Sequence, residues 1–266
     1  MSQRPSEGTP LVNGNGKSSS GPETGLPEDG MRAGCRVMEI LRPSICELIG
    51  VTIFVFVGTT SATSGNVMST AAAHGLAIML LIIAFGHISG GHFNPCVTLG
   101  ALLTGGISLK GAALHWLAQL IGGILGAALC KGVLSSAVYS GINAGIPDLG
   151  AGVGVGQGIL CEAVLTLTLV LTVIMTAVDR DDNILAPVAI GLAVLVDISA
   201  AANISGAVMN PARSFGPAVV GSSVFLARAW THQYIYWVGP IIGALVAAGL
   251  HRFVVGSPSN RIICTQ

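Results

Sequence analysis

From about residue 43 onward the chain is a succession of long apolar stretches, and that sets the solvent it must fold in. Six of them, at about 43 to 63, 69 to 88, 109 to 134, 157 to 178, 184 to 203 and 232 to 255, each approach the roughly twenty residues that about 30 Å of bilayer hydrocarbon requires of a helix. Lipid offers backbone groups no hydrogen-bond partner, so such segments must close their bonds internally, as helices rather than open strands. Only 9% of residues are charged against roughly 25% in soluble domains, so most of the surface cannot be meeting water. The 37 glycines follow no collagen-like triplet; in apolar helices, small residues permit close approach.

The flanks read differently. Residues 1 to about 31 are rich in Gly, Ser, Pro and Glu without an apolar run, the composition of a disordered tail. No charged n-region, apolar h-region and cleavage site open the chain, so the first hydrophobic helix is expected to serve as the insertion signal. Net charge is zero, and no basic stripe with interleaved aromatics suits nucleic acid. Cysteines stand at 35, 46, 96, 130, 161 and 264 without CxxC spacing, which supports neither a disulfide framework nor a metal site. With both termini cytoplasmic, nine Lys and Arg fall on that side and two, Lys131 and Arg228, on the far side, as the positive-inside rule requires. The host membrane, plasma or organellar, is left open.

Two shorter apolar stretches, 92 to 104 and 208 to 221, cannot span. Each begins with Asn-Pro, a turn followed by a helix with proline in its first turn, and each is expected to be a re-entrant half-helix. These stretches belong to a tandem duplication. His74-Gly75-Leu76-Ala77 overlays Ile190-Gly191-Leu192-Ala193, Ile88-Ser89-Gly90 overlays Ile204-Ser205-Gly206, and Asn94-Pro95 overlays Asn210-Pro211. Three spans per half is an odd number, so the halves are expected to insert with opposite topology and to place a site near the midplane. The expected organisation is therefore an all-α membrane protein of six transmembrane helices and two half-helices in inverted three-helix repeats. Its parts are a disordered cytoplasmic tail (1–35), a first repeat (36–134), a connecting loop (135–156), a second repeat (157–256) and a short cytoplasmic tail (257–266).

Half-helices entering from opposite faces bring together N-termini that each carry about half a positive charge, a barrier to cations and protons. Asn94 and Asn210 open them, with side-chain amides able to cap the helix and to donate to the oxygen of a passing molecule. Water held through its oxygen by two donors breaks a proton wire.

The two motifs, ISGGHFNPC and ISGAVMNPARSFGPA, together with Glu47 and Glu162 in the first and fourth spans, resemble the aquaporin (major intrinsic protein) family over about residues 40 to 256. The resemblance implies the aquaporin fold, a homotetramer with one pore per subunit, and passage of water and small neutral solutes. It implies that Asn94-Pro95-Cys96 and Asn210-Pro211-Ala212 are the paired pore motifs, and that Glu47 and Glu162 brace the re-entrant loops. It also implies that Arg213, a costly charge in an apolar region, forms an outer constriction with His74, Ile198 and Ala207. An aliphatic residue beside a histidine in that ring is similar to the animal aquaporin-8 type and plant tonoplast channels, which implies passage of ammonia and hydrogen peroxide. Ser214 in place of an acidic residue, and Tyr236-Trp237, disfavour glycerol.

Cys96 departs from the family's alanine and reads either as a small buried residue or as a thiol near the pore. Asp197 reads either as a backbone binder or as a pore-facing group. His74, whose side-chain type titrates near neutrality in water, is an expected site of pH modulation. His87 and His92 read as packing or vestibule residues, and Asp179-Arg180-Asp181-Asp182 as a solvated loop. Asn203-Ile204-Ser205 fits a glycosylation pattern beside the second motif, where use is not expected. No nucleophile–base constellation supports an enzyme, and no cofactor or metal is implied. Two other readings stay open: a closed-pore structural membrane protein, and an ion-coupled secondary transporter.

Overall fold

A computed structural model describes residues 28–180 and 182–262, with side chains from Met38 onward. The chain divides by contact into Met1–Met38 and Glu39–Gln266. Of the first unit only the opening of one helix is described, and everything below concerns the second. The tail expected at 1–35 lies outside the described residues up to 27; from Glu28 the chain is helical rather than disordered.

The fold is all-helical: α1 (Glu28–Ser61), α2 (Val67–Ser89), α3 (Pro95–Thr104), α4 (Leu109–Val133), α5 (Ser136–Gly141), α6 (Val155–Val173), α7 (Ala186–Ala201), α8 (Pro211–Thr231) and α9 (Ile235–Leu250). Single π-helical turns, Ile174–Val178 and His251–Val255, extend α6 and α9. Local chemistry sets many starts. Asn66, Ser108 and Ser135 cap α2, α4 and α5 through their side-chain oxygens, satisfying N–H groups that a helix start leaves free.

Among the described residues, five helices are long and apolar enough to cross a membrane. The sixth expected span, 184 to 203, is helical only over the 16 residues of α7, about 24 Å at the rise of an α-helix. Pro187 lies in its first turn, where the N–H it lacks has no partner within the helix. The second half-helix departs the other way. Expected to stop near 221, it continues as α8 to Thr231, broken at Phe225 (φ −127°, ψ 50°). No proline follows Pro217 in that stretch, and Trp230 Nε1 donates to Ser222 Oγ at 2.9 Å across the break. The connecting loop is not featureless either: it holds α5 and a 3₁₀ turn, Asn143–Gly145.

Packing repeats between the halves. A Cβ on Gly122 or Gly126 of α4 would meet Leu48 O or Thr52 O of α1 at 2.5 Å, and one on Gly239 of α9 would meet Ile159 O of α6 at 2.8 Å. At the centre, α2 crosses α7 where a Cβ on Gly75 would lie 2.5 Å from Gly191 O, and one on Gly191 2.6 Å from Gly75 O. Without an apolar driving force in lipid, backbone-to-backbone approach of this kind is what holds helices together. The core running through these crossings contains Val51, Phe54, Val170, Ile190 and Val194.

Candidate functional site

Each short half-helix is entered through a loop in an unfavourable backbone conformation. Phe93 (φ 47°) and Met209 (φ 55°), the residues before the two asparagines, are left-handed, as are Gly91 (φ 64°) and its repeat equivalent Ala207 (φ 48°). Left-handed non-glycine residues cost on the order of 1–3 kcal/mol each and persist only where their surroundings over-determine them.

The buried glutamates supply that determination. Glu47, fully buried, accepts from Ser89 Oγ (2.7 Å), His92 N (3.0 Å), Phe93 N (2.6 Å) and Gln119 Nε2 (2.8 Å). Glu162, also fully buried, accepts from Ser205 Oγ (2.7 Å), Val208 N (2.9 Å) and Met209 N (2.7 Å). A carboxylate in such a place is tolerable only when its oxygens are saturated with donors, and four of these, the N–H groups of His92, Phe93, Val208 and Met209, are ones that the strained loops would otherwise orphan. Outer helices complete each bracket, His115 against Ser89 O at 3.1 Å and Tyr236 OH donating to Ser205 O at 2.9 Å.

So held, the loops interlock. Asn94 Oδ1 accepts from Cys96 N at 2.8 Å, and Asn210 Oδ1 accepts from Ala212 N at 3.0 Å and Arg213 N at 3.3 Å, capping α3 and α8. Their amide nitrogens cross between the halves: Asn94 Nδ2 donates to Met209 O at 3.0 Å and Asn210 Nδ2 to Phe93 O at 2.9 Å. Each amide has two hydrogens. One is spent on the crossing, and both asparagines line one cavity. Pro95 and Pro211 begin α3 and α8 and are buried with Ala212.

That cavity is narrow and is also lined by His74, Ile198, Ala207, Arg213 and His92. The structure therefore brings His74, Ile198, Ala207, Arg213 and both asparagines to one cavity. His74 Nδ1 lies 2.9 Å from Thr70 O and its ring stands edge-on to Phe54 at 5.3 Å. Only an N–H can bond a carbonyl, so Nδ1 carries a proton and a neutral His74 presents Nε2 as an acceptor. Gly58 leaves room for that ring, since a Cβ there would overlap the imidazole. Arg213 Nη1 donates to Gly145 O at 3.1 Å.

Other residues fall elsewhere. Cys96 is fully buried in the core, and Asp197 is buried with an Oδ2 that has no hydrogen-bond partner among the described residues. His87 is exposed, whereas His92 Nδ1 lies 3.1 Å from Thr98 Oγ1. The Ser205 hydroxyl needed by the glycosylation pattern is buried and committed to Glu162.

Two polar clusters were not foreseen. Asp179, expected on a solvated loop, has a side chain only 6% exposed and accepts from His251 Nε2 (2.9 Å), Ser257 Oγ (3.0 Å) and Asn260 Nδ2 (2.7 Å). Burial works to raise this carboxyl, but the bonds from Asn260, His251 and Ser257 outweigh it and hold it well below the usual range. On the connecting loop, Asp148 lies 2.8 Å from His232 Nδ1 and 3.3 Å from Arg228 Nη1. Burial again works upward, and the His232 and Leu149 N–H bonds with the Arg228 charge bring the net direction down.

A helical bundle of apolar spans with paired half-helices is an integral membrane protein of the aquaporin fold. Its architecture resembles the X-ray structure of the aquaglyceroporin from Plasmodium falciparum, with a TM-score of 0.71 at 21% identity over 81% of this chain and 97% of that one. Residues 35–251 match the family described as Major intrinsic protein, and the chain belongs to that family. It is 39% identical to Aquaporin-8 of Mus musculus over 88% of this chain and 90% of that protein. It is likewise 39% identical to Aquaporin TIP1-2 of Zea mays, over 80% of this chain and 85% of that one.

Proposed function

We propose that this protein is a passive channel for water that also passes ammonia and hydrogen peroxide and excludes protons and ions. The observation that carries the reading is the crossing of Asn94 and Asn210 at one cavity, with the N-termini of α3 and α8 beside it. Free amide hydrogens there donate to a solute oxygen. The helix ends present positive potential, which opposes cations, and a water with its oxygen so held cannot relay a proton.

The reading makes His74, Ile198, Ala207 and Arg213 the selectivity filter, and Glu47 and Glu162 the supports of the loops. Ile198 contributes an apolar wall where a polar residue would demand a matched hydrogen bond, so weakly hydrated neutral solutes meet a smaller barrier. Similarity to Aquaporin-8 and Aquaporin TIP1-2 supports the water-channel part of the reading. The reading includes assembly as a homotetramer, and the nine-to-two split of Lys and Arg supports termini on the cytoplasmic side. The transporter reading has one observation in its favour, the buried Asp197, whose Oδ2 meets no hydrogen-bond partner among the described residues.

A paired assay tests the proposal: water, ammonia and peroxide fluxes through purified protein in vesicles, for wild type and Ile198→His. The expected result is flux of all three without an ion gradient, with ammonia and peroxide falling relative to water in the variant. Flux that requires an ion gradient would replace the channel with a transporter.

A further inference from the structure

The constriction arginine is held by a loop, and the loop is itself tied down from outside. Gly145 O accepts from Arg213 Nη1 at 3.1 Å. Asn143, Ala144 and Gly145 are all left-handed, with φ of 50°, 57° and 74°, a conformation the segment keeps only under external constraint. Below, Ala144 and Ile146 are buried, and a Cβ on Gly221 of α8 would meet Ala144 Cβ at 2.9 Å. Three residues further on, Asp148 is bound to Arg228 and His232 on and just after α8, while Arg228 Nε donates to Ile146 O at 3.4 Å. Gly150 N then donates to Ile204 O at 2.8 Å, at the entrance to the second re-entrant loop.

We propose that Asp148, with Arg228 and His232, is a positioning residue for solute selectivity: it clamps the connecting loop so that the Gly145 carbonyl fixes the Arg213 guanidinium across the passage. Arg213 has five N–H donors and several rotatable bonds, and a single carbonyl orients it only while that carbonyl stays in place. Asp148 touches no permeant and acts through the arginine. Releasing the clamp lets Arg213 swing and the constriction widen, so that larger polar solutes gain access relative to water. The inference rests on the channel reading above.

The test is the ratio of urea to water permeability in proteoliposomes. Asp148→Ala is expected to raise it about fivefold, the scale of one lost net hydrogen bond, and Asp148→Glu to restore it. In an Arg213→Ala background, which already lacks the guanidinium, adding Asp148→Ala is expected to change nothing. If Asp148→Ala is not recovered folded, Arg228→Gln cuts the same tether from α8 and is expected to raise the ratio likewise. A conducting Asp148→Ala channel with the wild-type ratio overturns the inference and leaves the channel reading intact, as does an equal rise in the Arg213→Ala background. A wild type that moves no more water than bare lipid sinks both.

Discussion

The side-chain amide of Asn94 donates to the main-chain carbonyl of Met209 across the two halves of the chain, at 3.0 Å. Because Asn210 returns the bond to Phe93 O at 2.9 Å, each asparagine caps its own half-helix and ties down the loop that delivers the other. Replacing either by alanine removes a cap worth about 1 kcal/mol and leaves a buried carbonyl unpaired at about 1–3 kcal/mol. Asn94→Ala and Asn210→Ala are each expected to lower thermal stability in detergent by a few kcal/mol. The double variant should lose less than the sum, because the two bonds share one interface.

The buried carboxylates should be less tolerant. Glu162→Gln keeps the shape but turns one acceptor into a donor facing Val208 N, Met209 N or Ser205 Oγ. A loss of about 3–5 kcal/mol is expected, the scale of a broken buried charge network, read as a fall in melting temperature and in folded yield. Glu47→Gln should be milder, since Gln119 supplies a second amide able to rearrange around the substituted group.

Gly58→Ala places a methyl where the His74 ring stands. With Thr70 O holding Nδ1, the methyl is expected to push the imidazole into the cavity that His74 lines. Water permeability per folded channel should fall severalfold, and Gly58→Ala with His74→Ala should recover it. Equal losses in both variants would place the defect in packing rather than in the passage.

Asp179 gives a pH prediction. Its folded-state carboxyl is held below the ordinary value, so its stabilising contribution is complete above the unfolded pKa of roughly 4 and is lost as pH falls through the depressed folded value. Wild type should therefore lose stability progressively below about pH 4, and the segment around Ser257 and Asn260 should release only as pH nears the depressed folded value. Asp179→Asn should be less stable at neutral pH and should lack that part of the acid limb, as thermal melts across pH will show.

Much of this architecture is legible in the residues, for reasons that are local or repetitive. Apolar runs report on solvent, and the duplicated Asn-Pro pairs single out the residues that the structure gathers at one cavity. What escaped depends on long-range geometry. A left-handed Phe93 or Met209 turns a carbonyl toward the opposite half, and no pattern of residue types announces that. Asp148 meets Arg228 and His232, and Asp179 meets His251 and Asn260, across some eighty residues of chain, so both carboxylates look like ordinary loop charges. The run of α8 past residue 221 and the shortness of α7 were likewise obscured, because hydropathy blurs where a helix begins and ends.

The crossing of Asn94 and Asn210 is proposed to mark a path open to water and closed to charge. Stopped-flow light scattering on vesicles carrying the purified protein, paired with proton flux measured on the same vesicles, tests it most directly. Rapid osmotic shrinkage with a low activation energy is expected, with a proton flux no greater than that of bare lipid. Shrinkage no faster than bare lipid, or proton flux rising in step with water, would contradict it.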